Sequence, residues 1–269
     1  MVISAQRSAL ADSVVGAALL AGSANVIMQL ARPPVGYGVL ESRVESGNIF
    51  RHPVKRTRTT LTYLAVAVLG TDEERLAYRR AVDKVHAQVR STESSPVAYN
   101  AFDQDLQLWV AACLYRGVED TAGVFLRGDP KRFYPDSAVL GTTLQVRREQ
   151  WPADREAFER YWTSALDEVH IDDTMRRYLT DLAELRFLPR FLSILLGRFN
   201  RFVTTGFLPP EFREQMRLPW SERRQHRFDV LMAAIAAIAQ RLPGPLRRFP
   251  FNFYLYDLRK RLRTGRHLV

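Results

Sequence analysis

Apolar residues recur along this chain every three or four positions, the spacing that gathers one face of an α-helix. Leu106, Trp109, Val110, Cys113 and Leu114 follow that rule over three turns. Thr60 to Leu69 is an apolar run that stops at Gly70, a suitable helix end. Thr71-Asp72-Glu73-Glu74 is a Thr-x-x-Glu capping box and opens a helix predicted through about Arg90. Ser91 to Tyr99, with its Ser, Glu and Pro, reads as a loop, and Gly128 to Pro135 as a turn-rich link. Helices are expected over Ser137–Arg148, after Pro152-Ala153-Asp154, and after Asp172-Asp173, since acids suit a helix N-terminus. Another follows Leu188-Pro189 as far as Phe202, and Leu208-Pro209-Pro210 breaks the pattern. Ser221 caps a strongly helical segment, Glu222 to Leu242, which Pro243-Gly244-Pro245 ends, and a basic helix near Tyr254 to Arg263 closes the chain. No run alternates as a strand would, no repeat is present, and no linker parts two domains. The pattern predicts an all-α, multi-helix bundle, one domain over residues 1–269.

Ser13 to Leu30 is conspicuously apolar. A secretory leader would use Arg7, Val14 to Leu20 and the small residues Ala21-Gly22-Ser23-Ala24. The run continues unchanged to Leu30, and Asp12, Ser23, Asn25 and Gln29 spoil it as a membrane span. A buried N-terminal helix within residues 1–32 and a cytoplasmic location are the expectation.

Composition sharpens this only in places. One cysteine among 269 residues excludes a disulfide framework and any zinc site built on several thiolates, and Cys113 falls on a core face. The net charge of +10 is uneven: residues 186–269 carry 17 Lys/Arg against 5 Asp/Glu, a balance of +12. Aromatic residues interleave with this charge (Phe249, Phe251, Phe253, Tyr254 and Tyr256 among Arg247, Arg248, Arg259 and Lys260). No nucleic-acid-binding motif accompanies them. Peripheral contact of this basic third with an anionic membrane is preferred over nucleic acid.

G-x-G-x-x-G, the Walker loop, H-E-x-x-H and G-x-S-x-G are all absent, so histidine is where chemistry should lie. Asp83-x-x-His86 and Asp167-x-x-His170 share a spacing that aims two ligands inward in helical di-iron proteins, though aspartate is shorter than the usual glutamate. A single imidazole is enough for haem, whose propionates a basic residue would meet. His86, with small Ala87 beside it and Arg90 one turn on, suits that role, and an ordinary core or surface histidine remains the plain alternative.

A resemblance bears on the choice. Arg56-Thr57-Arg58-Thr59-Thr60, Leu69-Gly70-Thr71 and Val85-His86-Ala87-Gln88-Val89-Arg90 come first, and Tyr99-Asn100-Ala101-Phe102-Asp103 and Leu108-Trp109-Val110 follow. Phe207-Leu208-Pro209-Pro210 and Leu218-Pro219-Trp220 complete the set. In this order they resemble the MpaB-type oxygenase and latex-clearing-protein family from about Pro33 to Arg263. That resemblance implies an all-α fold and, from the rubber-cleaving members, haem b with one axial histidine; the matching position is His86. It also implies Arg56, Thr60 and an upstream Glu41 on the distal side; Arg90, one turn past His86, and Arg58 are the candidate cofactor contacts. Thr59 stands where rubber-cleaving members carry lysine, and Ala111 where many relatives carry histidine; both departures count against the rubber-type reaction. The expectation is therefore a haem b oxygenase or oxidoreductase with an apolar cofactor pocket and an apolar small-molecule substrate. A haem- or lipid-binding protein without turnover, and a di-iron enzyme on Asp83/His86 and Asp167/His170, are the alternatives.

Overall fold

A computed structural model describes residues 8–44 and 47–269, so Arg7 lies outside the described residues. The N-terminal apolar run is buried but is not one helix. Ala9–Ser13 and Gly16–Ala21 are 3-10 turns, and Val14 and Val15 between them are extended, as β-branched residues favour. Only Gly22–Leu30 is α-helical (α1), with Ala24, Ile27, Met28 and Leu30 buried. Gly16 has a steric reason: a Cβ there would lie 2.0 Å from the Phe249 carbonyl oxygen.

Most of the remaining helices follow the sequence punctuation, but Pro33–Leu40 is helical where no helix is predicted, and the helix expected from Thr60 begins earlier, at Pro53. In chain order the remaining helices are α2 Pro33–Leu40, α3 Pro53–Leu69, α4 Asp72–His86 and α5 Gln104–Phe125, then α6 Val139–Thr142, α7 Arg155–Leu166 and α8 Asp173–Ala183. The last five are α9 Arg190–Phe207, α10 Pro210–Gln215, α11 Glu222–Arg241, α12 Gly244–Arg247 and α13 Phe251–Arg263. Both bonds of the Thr71 capping box form, and Asp154, Asp172 and Ser221 each cap a helix with a side-chain oxygen. Among the described residues there is no strand, only an isolated antiparallel bridge between Arg90 and Asn100. No helix among them is long and apolar enough to cross a membrane.

Two expected helices are shorter than predicted. α4 stops at His86 rather than Arg90, because the backbone beyond it bonds to the returning loop: Ala101 N–H donates to Val89, and Ser91 N–H to Tyr99. Ser137–Arg148 holds only the single turn of α6. Gly141 there packs against Ala111 and Val146, and the Gln145 N–H is drawn to Gln107 Oε1 at 3.0 Å.

α5 is the central element, packed against α1, α6 and α11, while α13 lies along α3 and α8 meets α1, α2 and α9. Trp109 stacks on Trp162 at 5.2 Å, and its indole N–H donates to the Gln29 carbonyl. Cys113 is fully buried, and burial pushes its thiol well up. Beside the aromatic stack Glu119 is buried and accepts from Tyr115, Arg116 and Arg155, the last through a two-pronged fork of 2.6 and 2.9 Å. Glu159 completes the cluster against the same two arginines.

Asp120, the next residue, has no such partners. Burial pushes its carboxyl up to about 7, with Arg116 opposing and Glu119 and Glu159 adding to the rise. The folded chain thus holds this proton more tightly than the unfolded chain. The resulting stability is present at low pH and is lost as pH rises from the ordinary value of 3.8 through about 7. Asp120→Asn should therefore be more stable than wild type by roughly 2–4 kcal/mol above pH 7, and no more stable near pH 4. Denaturant unfolding at the two pH values measures the difference.

Candidate functional site

α3 begins at Pro53, whose fixed φ suits a first helical position, and places Arg56, Thr60 and Tyr63 on one face at i, i+4 and i+7. α4 returns against α3. Tyr78 on α4 donates to the Thr59 carbonyl at 2.7 Å, and its ring stands 6.4 Å from that of Tyr63. Burial pushes the phenols of Tyr63 and Tyr78 up, so both stay protonated. Arg56 is half-buried, and burial lowers its pKa, with the neighbouring phenols of Tyr178 and Tyr78 opposing the shift. No carboxylate pairs with it among the described residues. An interior guanidinium without an anion is unusual, because desolvating it is costly. Arg58 is also half-buried, and its Nε is buried without a partner.

His86 ends α4 rather than sitting in mid-helix. Its ring meets the edge of Phe102 at 6.4 Å, and its Nδ1 is buried without a hydrogen bond. Burial lowers its pKa, Arg56 acts in the same direction, and Asp83 and the Gln145 amide oppose them. The imidazole is therefore held neutral, the form that ligates metals. Gln145 donates its amide N–H to Asp83 Oδ1, which leaves its own Oε1 buried and unpaired near His86.

The structure thus brings His86 and Arg56 together, with Asp83, Tyr63, Tyr78, Tyr178 and Gln145 around them. Thr60 shares the Arg56 face of α3. Glu41 and Arg90 lie elsewhere: both are exposed and line a surface groove of about 230 Å³ with Arg43, Gln88, Ser95 and Tyr99. Tyr99 donates to Glu41 Oε2 at 3.0 Å. Arg90 is not one helical turn beyond His86, because the helix has already ended. Thr59 donates its hydroxyl to the Lys55 carbonyl, and Ala111 is buried in α5.

The di-iron alternative fails on geometry. Asp167 is exposed just past the end of α7, and His170 is exposed in the following turn, so their i, i+3 spacing is not helical. Among the described residues no three His, Cys, Asp or Glu side chains converge as a metal site. Sequence reasoning missed Gln145 and the three tyrosines. Tyr63 could have been found by extending the Arg56–Thr60 face one more turn; Gln145 carried no local signal.

These features define a helical protein in which a half-buried, neutral imidazole lies beside a half-buried guanidinium that has no ion pair among the described residues. The family model described as ER-bound oxygenase mpaB/B′/rubber oxygenase, catalytic domain, matches residues 13–237, and the chain belongs to that family of oxygenase catalytic domains. The match takes in the N-terminal apolar run and stops within α11, short of Arg263. Two mycobacterial relatives, the uncharacterized protein Mb2261 of Mycobacterium bovis and the uncharacterized protein Rv2237 of Mycobacterium tuberculosis, are each 52% identical over 256 residues. The alignment covers 93% of this chain and the full length of each relative. No solved structure matches.

Proposed function

We propose that the protein is a haem b-dependent oxygenase acting on an apolar small molecule, with His86 as the axial ligand. The observation that carries this reading is the juxtaposition of a half-buried His86, whose buried Nδ1 has no partner, with Arg56, which has no ion pair among the described residues. Both fit the group: haem b brings an iron that wants a neutral imidazole and carboxylates that want a guanidinium. When bound, haem supplies the redox chemistry of oxygen insertion. The chain's own residues do the rest. Gln145, whose Oε1 is left unpaired near His86, is placed to orient the imidazole so that Nε2 would be the ligand, and Asp83 holds the Gln145 amide in turn. Arg56 and Arg58 answer anionic groups, and Thr60 offers a hydroxyl on the Arg56 face. Phe102, edge-on to the imidazole, helps exclude water.

The visible spectrum of freshly purified and of haem-reconstituted protein tests this reading. A Soret band in either preparation supports it, and no haem uptake by reconstituted protein defeats it. Thr59, where rubber-cleaving members carry lysine, and Ala111, where many relatives carry histidine, favour a second reading of haem binding without turnover. A haem spectrum with no oxygen consumption across apolar substrates would select it.

A further inference from the structure

The N-terminal half of α9 has two apolar faces. One is turned inward and pinned. Ser193 donates to the Glu184 carbonyl, Asn200 donates to the Ala183 carbonyl, and a Cβ on Gly197 would lie 2.4 Å from the Glu184 oxygen. The rotation of the helix about its axis is therefore set by this close approach. The other face points outward: Phe191, Ile194, Leu195 and Phe199 fall at i, i+3, i+4 and i+8, with Leu196 beside them. The first three are 69%, 68% and 71% exposed, and the other two are also exposed. Single exposed apolar residues are ordinary, but a row of five along one helix marks a surface that meets something.

Charge identifies the occupant. Residues 185–210 contain four arginines and no Asp or Glu. Arg186 and Arg201 pair with Glu184, while Arg190 and Arg198, both exposed on this same helix, carry no ion pair among the described residues. We propose that the outward face of α9 docks on an anionic lipid bilayer, its aromatic and aliphatic side chains entering the interface and Arg190 and Arg198 meeting the headgroups. A second copy of the chain fits poorly, since a two-fold contact through this face would bring like charges together with no acid in the segment to answer them. The helix lies on the surface rather than crossing it, as its arginines require. This surface does not depend on the haem reading.

Co-sedimentation of the full chain with phosphatidylcholine vesicles, with and without phosphatidylglycerol, tests the proposal at low and high salt. Wild type should pellet with the anionic vesicles, and less so at high salt. Arg190→Gln and Arg198→Gln should each weaken partitioning about fivefold. The double variant Phe191→Ser, Leu195→Ser should weaken it more than about tenfold, with an unchanged thermal midpoint because both sites are exposed. Absence of wild-type binding, or equal binding by all variants, overturns the proposal. So does a wild-type dimer that the serine variant converts to monomer without any lipid binding, which would give the patch to a second copy.

Discussion

His86→Ala is expected to retain no haem after reconstitution and to show no Soret band, with its far-ultraviolet circular dichroism unchanged. The last point follows from position: His86 is the terminal residue of α4, where alanine costs little and the capping box at Thr71 holds the other end. His170→Ala should keep both haem and fold, because His170 is exposed in the link between α7 and α8. Gln145→Leu should fall between them, keeping the Soret band but lowering haem affinity by roughly 10–100-fold, the usual cost of losing the partner that orients a ligating histidine. Haem titration followed by absorbance distinguishes the three. If His170→Ala lost the Soret band and His86→Ala kept it, the ligand assignment would be wrong.

Glu119→Ala should destabilise the fold by about 3–5 kcal/mol, without touching the His86 site. Glu119 is buried and neutralises Arg116 and Arg155, which are themselves largely buried. Removing it leaves two guanidiniums sharing Glu159 and strands the Tyr115 hydroxyl, which donates to Glu119 at 2.8 Å. The contrast is Glu156, whose pair with Arg160 on α7 lies in solvent at 86% and 64% exposure. Glu156→Ala should cost no more than about 1 kcal/mol. Denaturant midpoints of the two variants measure the difference, and equal losses would contradict the role given to burial.

Much of the helical architecture was legible because its signals are local. Thr71 and Glu74 are one turn apart, so their reciprocal hydrogen bonds can be read from four residues. Asp154, Asp172 and Ser221 announce their caps equally well. The buried face of α5 followed from spacing alone, and Cys113 is in the core where that spacing put it. Local reasoning failed where distant backbone competed. Val14 and Val15 interrupt the N-terminal run, and Gly16 sits against Phe249, a residue 233 positions away in sequence. The bridge between Arg90 and Asn100 ended α4 early and carried Arg90 away from His86.

The sequence by itself determined most of the helices, their caps and breaks, and the family, and it singled out His86 as the position that the resemblance would make the ligand. Those depend on neighbours within a turn or on motif order, both of which are written along the chain. Only the tertiary structure decided that Arg56 has no carboxylate to answer it among the described residues, that Gln145 reaches Asp83 beside His86, and that Glu41 and Arg90 share a surface groove instead. It also separated Asp167 from His170 as helical partners, and it left one apolar face of α9 uncovered. The reason is that desolvation and pairing are set by what packs around a group, and those neighbours come from helices dozens of residues apart.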